Sequence, residues 1–121
     1  AMAYSTHDVL EAMVADSGVA ATELRVDGGA ALNDWLMQFQ ADIAGVPVRR
    51  PAVVETTALG AAALAGIALG VWRDVSEFAR AGAAPTCFDP RMDAGSRRAL
   101  LQGWTRAVAA ARTWAESAVV R

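Results

Sequence analysis

The sequence predicts an α/β fold rich in helix, and three observations predict it. Leu24-Arg25-Val26 is a short run that reaches Asp27 and two glycines, Gly28 and Gly29, then opens into a segment where Leu32, Leu36, Phe39 and Ile43 recur at helical spacing. A second extended region follows, residues 46–50 and 52–55, broken by Pro51. Strand, helix, strand in that order favours parallel pairing with a right-handed crossover. Most of the remaining chain carries helical periodicity.

Each element has its own signal. In residues 1–18, Met2, Val9 and Met13 fall on one stripe with Leu10 and Val14 beside it, and Gly18 supplies a left-handed C-cap. No cap signal precedes this helix, which reads as cut rather than started. His7 within it reads as a surface or partly buried helix residue, since a catalytic role would want a base or carboxylate partner. Thr56 or Thr57 can cap a helix over 58–72, with Glu55 favouring its dipole and Gly60, Ala62, Gly66 and Gly70 permitting close packing. That helix is uncharged, but at 15 residues it falls short of the roughly 20 needed to span a bilayer, so a buried helix is expected. Residues 73–78 read as a short helix and 79–85 as an Ala/Gly/Pro loop. Asp93 can cap a last long helix, in which Leu100 or Leu101, Trp104, Val108, Ala111, Trp114 and Ala118 recur at three and four residues. The tryptophans are expected in the core.

Composition bounds the function. A chain of 121 residues holds one ordinary domain. With 55% hydrophobic and 20% charged residues and a net charge of -2, it is neither a disordered chain nor a basic nucleic-acid binder. The lone Cys87 has no intrachain partner and His7 no ligand-spaced neighbour, so no metal site is expected. No basic stretch leads into an apolar N-terminal core, and the expectation is a cytoplasmic protein.

The chemistry concentrates at the glycine junction. Glycine permits positive φ and removes Cβ, so a ligand can lie against bare backbone, and the following helix presents unpaired N–H groups at its start. Asn33, four residues after Gly29, has an amide that can read a purine edge or hold a ribose hydroxyl. An ordinary strand-to-helix turn accounts for the same spacing, and both readings stand on the residues alone. Asp27 either stabilises the turn and helix start or orients a water or metal. Arg49 and Arg50 form either a solvated edge or a phosphate site. No Walker A lysine motif, protein-kinase set or nucleophile elbow occurs, and Asp34 and Asp42 stand eight apart, too far for a dyad.

Three runs carry a specific resemblance: Val26-Asp27-Gly28-Gly29-Ala30 with Asn33; Leu36-Met37-Gln38-Phe39-Gln40-Ala41-Asp42-Ile43; and Glu55-Thr56-Thr57-Ala58-Leu59-Gly60-Ala61-Ala62. Together with Pro47-Val48 and Arg50-Pro51 they closely resemble the C-terminal part of glycerol kinase, in the FGGY carbohydrate kinase family. Tyr4 to Met13 resembles the helix before the strand, and Phe88 through Trp114 the closing helix, so essentially the whole chain is covered. The resemblance implies a partial ribonuclease H-like, actin-like ATPase domain: a C-terminal fragment over 1–121, with 1–72 as partial core and 73–121 as a C-terminal helical extension. In the family, backbone at the second glycine and the asparagine four residues on contact the adenine nucleotide. These correspond to Gly29 and Asn33, with Gly28 shaping the same pocket. The implied cofactor is ATP or ADP, with Mg2+ in the full enzyme, and glycerol is a partner only of that full enzyme. No catalytic residue carries over, because the phosphate loops, general base and glycerol-gripping residues belong to family segments before residue 1. This chain alone is therefore expected not to phosphorylate glycerol. Ala44, Ala63 and Val71 depart from the family's commoner Leu, aromatic and Phe, leaving either compensating large residues in the missing half or a looser core here. Uncovered strand edges and helix faces imply a homo-oligomer without nucleic-acid or membrane partners. Another FGGY sugar kinase such as xylulokinase, and a non-catalytic oligomerising module, are the alternatives.

Overall fold

The structure, a computed structural model, describes residues 1–118; the last three positions of the expected 1–121 domain lie outside the described residues. In chain order the elements are α1 (Met2–Ser17), β1 (Leu24–Arg25), a 3-10 turn (Gly29–Leu32), α2 (Asp34–Ala44), β2 (Val48–Arg50), α3 (Thr56–Ala68), α4 (Val75–Ala81), β3 (Thr86–Phe88) and α5 (Ala94–Ala118). The sheet order is β1-β2-β3. β1 runs parallel to β2, with Leu24 opposite Val48, and β2 runs antiparallel to β3, with Val48 opposite Phe88. The expected strand-helix-strand unit is present and its strands are parallel.

Backbone pairing outlasts the short β1. Val26 N donates to Arg49 O at 3.1 Å and Gly28 N to Val54 O at 2.9 Å, so the chain stays tied to its neighbour up to the glycine turn. β3 has no sequence forecast: three residues after Pro85 are too few to show strand alternation. Its pairing makes β2 the central strand, so Arg49 and Arg50 do not lie on a sheet edge; Arg49 is still exposed, whereas Arg50 is half-buried. α2 seats on the sheet through Met37 and Ala41, which close a buried cluster with Ala31, Val48 and Phe88.

α1 packs on α2 through Ala3, Tyr4 and His7, one residue around from the expected stripe. The Tyr4 ring stands edge-on to Phe39 at 5.6 Å and stacks on Trp104 at 5.3 Å. Met2, Val9 and Met13 consequently face outward, while His7 is buried, its Nε2 lying 3.6 Å from Glu11 Oε1.

α5 begins as expected at Asp93, whose Oδ1 accepts from Ser96 N at 2.9 Å. The Ser96 side-chain and backbone hydrogen bonds hold the Asp93 carboxyl below its ordinary pKa. Arg97 then reaches the C-terminus of α2, donating from Nε to Ile43 O at 2.9 Å and from Nη2 to Ala44 O at 3.3 Å, where a cation offsets the helix dipole. Trp104 Nε1 donates to Asp8 Oδ2 at 2.7 Å. Only this first half of α5 docks. Trp114 is 75% and Trp35 71% exposed, and Trp72 and Trp104 are half-buried, so the tryptophans do not form the expected core. The side chain of Ala118, last member of the expected stripe, lies outside the described residues.

α4 is longer and later than the forecast 73–78 helix. Asp74 caps it by accepting from Glu77 N at 2.8 Å, an Asp-x-x-Glu start that displaces the first turn and carries the helix through Ala81. α3 also departs from expectation. It starts at Thr56 without a side-chain cap, stops at Ala68, and buries only Ala63 and Gly66. Its principal neighbour is the short α4, which leaves Leu64 68% and Leu69 82% exposed. A helix apolar all round asks for cover on every side, and among the described residues α3 has it on one.

Beyond α3 the chain folds back and lays Trp72 over Gly66, where an added Cβ would stand 2.1 Å from the indole. Phe78 holds that indole edge-to-face at 4.9 Å. Gly66→Ala is therefore expected to lose about 1–3 kcal/mol through overpacking. Gly60→Ala, whose Cβ meets nothing within 4 Å, is expected to gain up to about 1 kcal/mol in the same helix. Denaturant unfolding of the two variants checks the opposite signs.

Candidate functional site

The junction between β1 and α2 is built by backbone geometry first. Gly28 holds φ 76° and ψ 177°, a conformation open essentially to glycine alone. Its N–H is engaged by Val54 O, and its own carbonyl accepts from Ala31 N at 3.1 Å to close the 3-10 turn. α2 does not start at the glycines, as the periodicity of Leu32 suggested, but at Asp34. Leu32 consequently points outward. The cause is Asn33, which is extended (φ -82°, ψ 101°) and caps α2 by accepting from Leu36 N on Oδ1 at 3.0 Å.

This arrangement leaves specific groups free. Among the described residues the Gly29 and Ala30 N–H groups donate to no acceptor, and Asn33 Nδ2 has no partner. A Cβ at Gly28 or Gly29 would meet nothing within 4 Å, and Gly29 and Asn33 are exposed. Two backbone donors and one amide donor thus belong to exposed residues of the turn. Those donors fit a nucleotide's acceptors: ribose hydroxyls, base-edge nitrogens or phosphate oxygens.

Asp27 takes the structural one of its two readings. Its Oδ2 accepts from the Thr56 hydroxyl and ties the glycine turn to the first turn of α3. Twenty-nine residues separate the pair, so no local pattern could reveal it. A cavity of about 550 Å³ opens on this side, lined by Asp27, Thr56, Arg25, Arg49 and apolar residues from Val26 to Pro85. Gly28, Gly29 and Asn33 are not part of its wall; they lie on the adjoining open surface.

The two arginines are engaged within the fold. Arg49 Nε donates to Glu23 Oε2 at 2.5 Å, and Arg25 Nε to Glu23 Oε1 at 2.8 Å. Arg25 and Arg49 hold the Glu23 carboxyl below its ordinary pKa, and Glu23 raises that of Arg49. Arg50 Nη1 donates to Ala31 O at 2.8 Å and Asp34 Oδ1 at 2.6 Å, and its guanidinium lies 5.2 Å from the Phe88 ring centre. Gln38 and Asp42 bind the strand-to-helix loop before α5: Gln38 Nε2 donates to Asp89 O at 2.8 Å, and Asp42 Oδ1 accepts from Arg91 N at 2.6 Å. No group of three or more His, Cys, Asp or Glu among the described residues is placed to hold a metal. No helix among them is long and apolar enough to cross a membrane.

Comparison with known proteins gives concordant likenesses. Residues 1–69 match the C-terminal domain of the FGGY family of carbohydrate kinases. The chain is 55% identical over 116 residues to glycerol kinase 1 of Clostridium tetani, covering 96% of this chain and 23% of that protein. It is 57% identical over 115 residues to the glycerol kinase of Petrotoga mobilis, covering 95% and 23%. It thus spans about a quarter of the length of these relatives. A crystal structure of Plasmodium falciparum glycerol kinase with ADP superposes with a TM-score of 0.72 at 29% identity, covering 88% of this chain and 22% of that one. The xylulose kinase of Lactobacillus acidophilus shares the fold, with a TM-score of 0.66 at 22% identity over 92% of this chain and 22% of its own.

Asn33 has two separable duties, one per amide atom. Asn33→Ala removes the cap and is expected to cost about 1 kcal/mol, whereas Asn33→Ser keeps a capping oxygen and stays within a few tenths. Urea unfolding of the two variants against the parent chain measures the difference.

Proposed function

Because the chain belongs to the FGGY family of carbohydrate kinases, matching its C-terminal domain over residues 1–69, we propose that it is the C-terminal, adenine-nucleotide-binding portion of a glycerol kinase. The full enzyme so implied transfers the γ-phosphate of ATP to glycerol and gives glycerol 3-phosphate. The observation that carries this reading is identity of 55–57% with glycerol kinases along nearly the whole chain. The resemblance to xylulokinase stands at the level of fold.

The nucleotide is held, on this reading, at Gly28, Gly29 and Asn33. Gly28 shapes the turn, Gly29 offers its N–H and bare backbone, and Asn33 donates from Nδ2 while its Oδ1 stays on the helix. Support comes from the donors left free at this turn and from the relative crystallised with ADP. Bound ATP supplies the phosphoryl group, and Mg2+ belongs with its phosphates in the full enzyme. Residues 1–72 form part of the ATPase core, and 73–121 a helical extension whose β3 returns to the sheet. The setting proposed is the cytoplasm, without nucleic-acid or membrane partners. Self-association is supported by the outward leucines of α3.

These 121 residues carry no residue assigned to chemistry on glycerol, so the chain by itself is expected to bind weakly and not to turn over. ADP affinity near millimolar, about -4 kcal/mol rather than the -8 of a micromolar site, is expected by ligand-observed NMR, weakening in Asn33→Ser while the fold is kept. Absence of binding, or indifference to Asn33→Ser, would contradict the assignment. Glycerol-dependent ADP release by the purified chain would contradict the inactive reading.

A further inference from the structure

Among the described residues, Arg50 is the one charged side chain that connects the sheet to the turn carrying the free donors. It sits on the central strand with only 15% of its side chain exposed, on the same face as the fully buried Val48, since alternate strand residues share a face. From there one nitrogen, Nη1, bonds both Ala31 O at 2.8 Å and Asp34 Oδ1 at 2.6 Å. Ala31 lies inside the 3-10 turn and Asp34 is the first residue of α2. The two contacts therefore bracket Asn33. Behind the guanidinium stands Phe88 of β3 at 5.2 Å, an aromatic face that fixes the planar group from the other side.

We propose that Arg50 is a positioning residue for nucleotide binding, holding the Gly29–Leu32 turn and the start of α2 so that the Gly29 N–H and Asn33 Nδ2 converge on one ligand. This rests on the nucleotide reading above. The guanidinium suits the task because it is planar, always charged and able to serve two acceptors while lying over an aromatic ring. A lysine at 50 keeps the charge but loses the planar group over Phe88. The turn is otherwise restrained by backbone bonds at Gly28 and Ala31 and by the buried Ala31 side chain, while Gly29, Ala30 and Leu32 are exposed. Without the clamp, ordering of the turn falls to the ligand and weakens its binding.

The test compares three purified chains for ADP binding by NMR: the parent, Arg50→Lys and Arg97→Lys. Arg97 serves as control because it clamps the other end of the same helix through Ile43 O and Ala44 O, so a loss of helix stability affects both variants. The clamp predicts ADP binding about tenfold weaker in Arg50→Lys, the equivalent of about 1.4 kcal/mol, with Arg97→Lys binding like the parent. The amide signals of Gly29, Ala30 and Asn33 should also shift in Arg50→Lys before any ADP is added. Equal binding by all three chains would overturn the Arg50 assignment and leave the nucleotide reading intact, as would equal weakening in both variants. No binding by the parent would overturn both.

Discussion

Strands of two and three residues do not make a sheet that stands alone, and the constraint on this structure is that α2 must hold them. Isolated pairs of that length are marginal in water, and stability comes from an apolar face packed against a helix. Met37 and Ala41 provide that face, closing over Val48 and Phe88 with Ala31 beneath the turn. α2 is fastened at both ends, by Asn33 and Arg50 at its start and by Gly45 and Arg97 at its finish. The orientation of the turn, the registry of the sheet and the docking of α1 and α5 all follow from where this 11-residue helix lies.

The residues that mark the chain as glycerol kinase-like are for the most part holding this arrangement together. In the Leu-Met-Gln-Phe-Gln-Ala-Asp run, Met37 and Ala41 are core, Gln38 and Asp42 grip the loop before α5, Phe39 meets Tyr4, and Gln40 reaches Ala3 O. In the Glu-Thr-Thr run, Thr56 fastens Asp27. These two signature runs therefore serve the fold, and the proposed ligand residues Gly28, Gly29 and Asn33 belong to the third, at the glycine turn. There a conformation that glycine alone adopts at 28 leaves backbone donors at 29 and 30 open to a ligand.

Much of this was legible in the sequence because its signals are local. Helical spacing located α1, α2 and α5; Gly18 and Asp93 act as caps in the structure; and the parallel strand-helix-strand unit follows from the order of elements. What escaped depends on distant partners. β3 is too short for a pattern, and only its pairing reveals Arg50 as interior rather than edge. The Asp27–Thr56 bond joins residues from separate elements. The exposed leucines of α3 read as buried because hydropathy records a demand for cover, not whether the described residues meet it. Asn33 lay between: its residue type and spacing made it a candidate, but its capping role emerged only once α2 was seen to begin at Asp34.

Whether the Gly28–Asn33 turn is the proposed nucleotide half-site is read by residue-resolved NMR of the isotopically labelled chain with added ADP. A half-site there gives shifts concentrated in the Gly29 and Ala30 amides and the Asn33 side-chain amide, fading along α2. Shifts centred instead on α3 and α4, or none at the turn at saturating ADP, would contradict it.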